Sequence, residues 1–387
     1  MCFDTTASNS GVKKGASKLL EEELGRKLLW LACRHHILEL IIGAVWEKLF
    51  GEVKGPDNPY FKALRKEWPS IDHTDHYEMS LDVDEPDHHW LMELKERTLA
   101  ELHTVLSRPS EFLPRGDYRE LAELTMVVLG ATPPRESFQF SYPGAVHQAR
   151  WMAVVLYALK MFIFQDQMGY DEETREKLLR MTMFTSLLYS SAWLTCTKAA
   201  DAPANDLRLY QDLLKFKEYD PEIAEVALNK LSNHKWYLSQ ELVVLAALSE
   251  NTHEDDKSHI AAAILSHTKP LTYTLGRPQF PPVITSASSL SDFIGPQSYV
   301  MLDLLDMGVE WLHSPPSEWD TFDCYVRAKA IINSLKVTND VAERYIKTMT
   351  DYSTKITADG EQRQCLLQVV EQHRRKYPSF KKKVLVK

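Results

Sequence analysis

Two short apolar segments near the start of the chain constrain its fold more than any other feature. Met1-Cys2-Phe3 runs through Asp4 into a polar turn at Ser8-Asn9-Ser10-Gly11, as the end of a strand does. Leu28-Leu29-Trp30-Leu31-Ala32-Cys33 is an unbroken apolar run of the kind found in strands covered on both faces. Between them, Ser10 is placed to cap a helix reaching Leu24, with Val12, Ala16, Leu19, Leu20 and Leu24 on one face and Gly25 as its stop. A second helix is expected over Ile37–Phe50. This alternation points to a mixed or parallel sheet. Two strands are too few for an independently stable sheet, so pairing with further sequence or a borrowed edge is expected.

After Gly51 the pattern changes to long 3.6-residue periodicities, at Leu94–Leu106, Tyr118–Val128, Ala145–Phe164, Glu172–Tyr189 and Pro221–Leu248. Trp319–Leu335, Val341–Tyr352 and Glu361–Tyr377 continue it. The expected architecture is an α/β segment over 1–54, an all-α segment over 55–316, and C-terminal helices over 317–387 that end in a basic tail. Most of the chain should be helical. No fixed repeat period suggests a solenoid.

A length of 387 residues, 44% of them hydrophobic and 26% charged, is enough for two or three packed units of an ordinary globular protein. No apolar stretch approaches the length of a membrane span, so no membrane association is expected. Cys2, Cys33, Cys196, Cys324 and Cys365 are odd in number and lack CxxC spacing, which argues for reduced thiols over disulfides or a four-cysteine zinc site. The net charge of −9 is unevenly spread: residues 1–54 carry +1 and residues 361–387 carry +6, which leaves −16 for 55–360. Attraction for nucleic acid must then come from the ends, above all from Lys381, Lys382 and Lys383.

Asp4 stands where a strand meets a loop leading into a helix, the place at which open α/β sheets present ligand-binding groups, although Asp is also an ordinary turn residue. The string Asp4-Thr5-Thr6-Ala7-Ser8-Asn9-Ser10-Gly11, followed by Ala32-Cys33-Arg34-His35-His36, narrows that choice. The two segments together resemble the core of the hAT superfamily of cut-and-paste transposases. That core is a ribonuclease-H-like DDE fold whose second catalytic Asp lies in a D-x-x-x-N-like stretch. Asp4 and Asn9 match it with one extra residue between them, and Cys33 to His36 matches the C/D-x-x-H landmark that follows. The family then interrupts its core with an all-helical insertion domain and resumes on a helix carrying the catalytic Glu, often in an S-x-x-x-E-R-like string. Val337-Thr338-Asn339-Asp340-Val341-Ala342-Glu343-Arg344 occupies that place here.

The resemblance implies Asp4 and Glu343 as catalytic and metal-binding carboxylates, with Asn9, Cys33, His36 and Arg344 as structural residues beside them. It implies Mg²⁺ or Mn²⁺ in an intact member, DNA as partner, and a nuclear location in a eukaryote or an intracellular, soluble one otherwise. Only three residues precede Asp4, so the family's first catalytic Asp is expected to be missing, as in an N-terminally truncated core. Phosphodiester chemistry of this type uses two divalent ions about 3.5–4 Å apart. Two carboxylates should retain at most one ion, weakly, with little or no strand cleavage. Whether the chain is an enzyme stays open at this point. The alternative function is a non-enzymatic scaffold that binds protein partners through the acidic helical insert, and an oligomer is compatible with either.

Other features have plainer readings. Asp72-His73-Thr74-Asp75-His76 and Asp87-His88-His89 are rich in metal-ligand types, yet no HExxH or paired spacing completes a site. Gly11 to Lys18 misses the GxxxxGK[ST] phosphate loop. Trp90, Trp151, Trp193 and Trp236 have core packing as their expected role.

Overall fold

A computed structural model describes residues 1–11, 13–26, 28–52, 58–79, 89–108, 116–134, 138–144, 151–273 and 283–338. The expected helices at Val341–Tyr352 and Glu361–Tyr377 lie outside them. Among the described residues the chain is mostly helical, and its one sheet is a parallel pair, β1 (Cys2–Phe3) and β2 (Leu31–Ala32), in which Cys2 pairs with Leu31 and Phe3 with Ala32. These residues group into two compact units. One is drawn from 1–45, 89–105 and 186–338, the other from 46–79 and 106–185.

The first unit holds the sheet. Phe3 is 6% exposed and meets the Trp30 and Trp236 rings edge-on, at centroid distances of 5.4 and 6.4 Å. Burying a side chain of this size contributes about 1.5–3 kcal/mol, and this packing replaces the additional strands that an exposed two-stranded sheet would need. The edge of β2 away from β1 is closed too. Leu31 and Cys33 donate their N–H groups to the carbonyls of Met1 and Phe3, so Ala32, between them, points its backbone the other way. There its carbonyl accepts a hydrogen bond from the buried Tyr237 hydroxyl.

The connection from β1 to β2 differs from a single Ser10–Leu24 helix. Helix α1 spans Ala7–Ser10 and α2 spans Ala16–Leu24. The turn between them is too tight for side chains: a Cβ on Gly15 would lie 2.5 Å from the backbone N and O of Gly11. Ser10 is not an N-cap but the last residue of α1, its hydroxyl donating to the Thr5 and Thr6 carbonyls at 3.0 Å. Gly25 does end α2, with φ of 61° in the left-handed region that glycine reaches without strain. Helix α3 starts at Arg34, with only Cys33 between it and β2, and runs to Phe50.

Further along, the Pro221–Leu248 periodicity divides. An Asp220 cap on the Ile223 N–H and Pro221 at the first position begin a regular helix that stops at Ser232. Short 3₁₀ and α turns then carry Trp236 to Leu248, every residue of Trp236–Leu238 and Leu242–Leu248 being buried. A one-sided helix cannot bury so continuous a run, and the tighter turns do. Trp311, Trp319 and Tyr325 form a second aromatic cluster in this unit, and Tyr325 donates to the Ala247 carbonyl at 2.8 Å.

The second unit is built on Trp151–Ile163, packed with Gly116–Val128 and Glu172–Phe184. Trp46, Phe61 and Tyr157 form one aromatic group in it, Trp68, Phe140 and Phe164 another. Lys160, 2% exposed at its side chain, is held by Glu120 at 2.6 Å and by the Ser141 carbonyl at 2.8 Å. Burial lowers the Lys160 pKa, and Glu120 works against that shift. No described helix is long and apolar enough to cross a membrane.

Candidate functional site

Asp4 follows β1 directly, at the carboxyl end of the parallel pair. Its Oδ1 accepts from the Thr6 N–H at 3.0 Å, from the Thr6 hydroxyl and from Asn9 Nδ2 at 2.8 Å. Burial pushes the Asp4 pKa up, but these hydrogen bonds, aided by the nearby His36, hold it below the ordinary carboxylate value. All three donors converge on Oδ1, which orients the carboxylate and leaves Oδ2 without a protein donor among the described residues. One oriented carboxylate with an open oxygen suits a single position on a hard divalent cation.

His36 lies two residues into α3, half-buried, close enough to Asp4 for each to act on the other's charge. Burial lowers its pKa, Asp4 opposes the shift, and His234 reinforces it. His234 comes from the turn after Ser232, about two hundred residues away in sequence, and no local signal marked it. Cys33 is a buried, unbridged thiol whose N–H donates to the Phe3 carbonyl at 2.7 Å, so it closes the strand pair beside Asp4. His35 stacks on Trp193 with rings 3.8 Å apart and 6° from parallel. The Cys33–His36 stretch thus divides its work: Cys33 and His35 pack inward and His36 faces the carboxyl end of β1.

Arg34, which no site reading singled out, is the most constrained of the four. Its guanidinium donates to Asp206 Oδ1 through Nε at 2.8 Å and through Nη2 at 2.6 Å, to Asn205 Oδ1 at 2.6 Å and to the Ala192 carbonyl at 3.3 Å. Burial opposes its charge, and the Asp206 carboxylate more than offsets that, raising the Arg34 pKa above its usual value. Cys196, buried in the same cluster, has its thiol pushed up to about 12, mainly by burial. Arg34 also donates its backbone N–H to the Val337 carbonyl at 2.8 Å. Lys336 makes an antiparallel bridge with Lys198, and Val337 is fully buried. The chain therefore returns to the start of α3 just before the stretch that contains Glu343.

Glu343, Arg344 and the tail lysines Lys381, Lys382 and Lys383 lie outside the described residues. Among the described residues, no three His, Cys, Asp or Glu side chains are arranged to hold a metal ion, which covers Cys33 with His36 and the His73–His76 segment alike. Trp90, Trp193 and Trp236 are buried core residues, 7%, 1% and 1% exposed. Of the Gly11–Lys18 segment, Gly11 and residues 13–15 lie between α1 and α2, and residues 16–18 open α2. No protein-family model, curated protein or solved structure matches the chain.

Proposed function

We propose that this chain derives from a cut-and-paste transposase of the hAT type and that residues 1–387 do not cleave DNA unaided. In this reading the first unit is the remnant of a ribonuclease-H-like core, Asp4 and Glu343 are its carboxylates, and DNA is held weakly by the basic tail in the nucleus of a eukaryotic cell. The observation that carries it is the 2.8 Å hydrogen bond from the Arg34 N–H to the Val337 carbonyl. Glu343 is six residues from Val337, so at most about 22 Å of extended chain separates the two. A helical insertion that leaves after α3 and returns to its first residue would keep two carboxylates on one edge of the sheet.

Paired divalent ions, where three carboxylates hold them, activate the attacking oxygen and stabilise the leaving oxygen of a phosphodiester. Asp4, oriented by Thr6 and Asn9, supports one such position, and Glu343 would supply a second. Asn9 fixes the carboxylate, Cys33 and Arg34 fix the strand end and helix start around it, and His36 adds an imidazole beside it. The test is Mn²⁺ titration of the full chain, followed by paramagnetic broadening of the His36 ring signals. Single-site, weak binding lost in both Asp4→Ala and Glu343→Ala supports the reading. Affinity unchanged in both variants overturns it.

A further inference from the structure

The second unit contains a cleft of about 620 Å³, within the range of small-molecule sites, lined among others by His73, His76, Glu78, Phe138 and Phe140. We infer that this cleft binds a small organic ammonium group, with the Phe138 and Phe140 rings and the Glu78 carboxylate as its recognition elements.

The segment that forms one wall is held in place from behind. Gln167 Oε1 accepts from the Asp72 N–H at 2.8 Å, while Nε2 donates to the Asp72 and Asp75 carbonyls at 2.9 and 2.6 Å. Backbone hydrogen bonds from Tyr77 to Ile163 and from Met79 to Val128, at 2.7 and 2.8 Å, fix the remainder. His73, His76 and Glu78 are therefore presented on a pre-ordered edge, which lowers the ordering cost of binding.

Another part of the lining is aromatic. Phe138 and Phe140 meet edge to face at 4.9 Å, both half-buried, and Phe140 rests on Phe164 in the same manner at 4.9 Å. His73 and His76 lie 6.1 and 5.8 Å from the Phe140 ring. The His73 ring also packs on Trp68 and Phe164, with centroids 4.7 and 5.5 Å apart, and its Nε2 is buried without a hydrogen-bond partner.

Charge decides the ligand class. Among the described residues no lysine or arginine lines the cleft, and the carboxylate that does, Glu78, is 55% exposed at the side chain and 3.7 Å from His76. An anion would meet repulsion from Glu78, and a neutral ring would use only the aromatic part of the lining. An alkylammonium gains from the aromatic quadrupoles and from the carboxylate together.

Choline and a peptide carrying trimethyllysine are titrated separately into the full chain at pH 8, above the ordinary titration range of imidazole, with binding followed by calorimetry. The uncharged choline isostere 3,3-dimethylbutanol serves as control. Saturable binding of either cation, weakened about tenfold in Phe140→Leu and in Glu78→Gln and about tenfold for the isostere, is the expected result. Choline alone identifies a free amine as the source, and the peptide alone a modified lysine. Phe140→Leu keeps apolar bulk against Phe164, and Glu78→Gln changes an exposed group, so both variants should fold. Equal binding of the isostere, affinity unchanged in both variants, no binding of either cation, or Zn²⁺ binding that His73→Ala and His76→Ala abolish would each overturn the inference.

Discussion

Arg34 Nη2 and Asp206 Oδ1 are 2.6 Å apart, with the two side chains 2% and 5% exposed, and this pair fastens the start of α3 to the Ala202–Phe216 helix. Removing one partner leaves a buried charge without compensation. Arg34→Met and Asp206→Leu should each lose about 3–5 kcal/mol in urea unfolding, while the double variant recovers most of the loss. Additive losses in the double variant would show that the pair is not coupled.

Asn9→Ala removes one of the donors on Asp4 Oδ1. The Asp4 pKa should then rise toward the ordinary carboxylate value of about 3.9, read by carboxyl-carbon NMR titration. A depressed folded pKa contributes stability above the unfolded value that is lost as pH falls through the folded one. The Asn9→Ala chain should therefore show a shallower loss of stability below about pH 4. An unchanged Asp4 titration would contradict the role assigned to Asn9.

Tyr237→Phe deletes the hydroxyl that satisfies the outward carbonyl of Ala32 and leaves the aromatic packing in place. A buried acceptor without its donor costs about 1–3 kcal/mol, so the unfolding midpoint should fall by that equivalent. Amide exchange at Leu31 and Cys33 should accelerate with it, because those N–H groups hold the strand pair. No change in either would mean that water replaces the hydroxyl.

DNA affinity should depend on the tail. Ending the chain before Pro378 removes Lys381, Lys382, Lys383 and Lys387. Binding to any duplex should weaken uniformly across sequences, and the slope of log affinity against log salt should decrease by up to about 3–4. Fluorescence anisotropy at several salt concentrations measures both, and an unaltered slope would show that these lysines touch no phosphate.

Local chemistry made much of this protein legible. The helix at Gly116–Val128, the Asp323–Ser334 part of the helix expected over Trp319–Leu335, the left-handed stop at Gly25, and the position of both strands in the first 32 residues follow from periodicity, capping and apolar runs. Asp4 and Asn9 are near neighbours, so the hydrogen bond between them is a property of one short loop. What periodicity could not report was competition between segments. Trp236 to Leu248 leaves the helical path because Trp236–Leu238 and Leu242–Leu248 are buried at every residue, and the Ser10–Leu24 stretch divides because Gly11 and Gly15 permit a backbone contact that side chains would forbid. Asp206, His234, Tyr237 and Val337 become neighbours of Arg34 and the residues beside it only through folding. Their partners lie some 170 to 300 residues away, and pairing across such distances leaves no pattern in either local sequence, since each side chain's environment is created by the other segment's arrival.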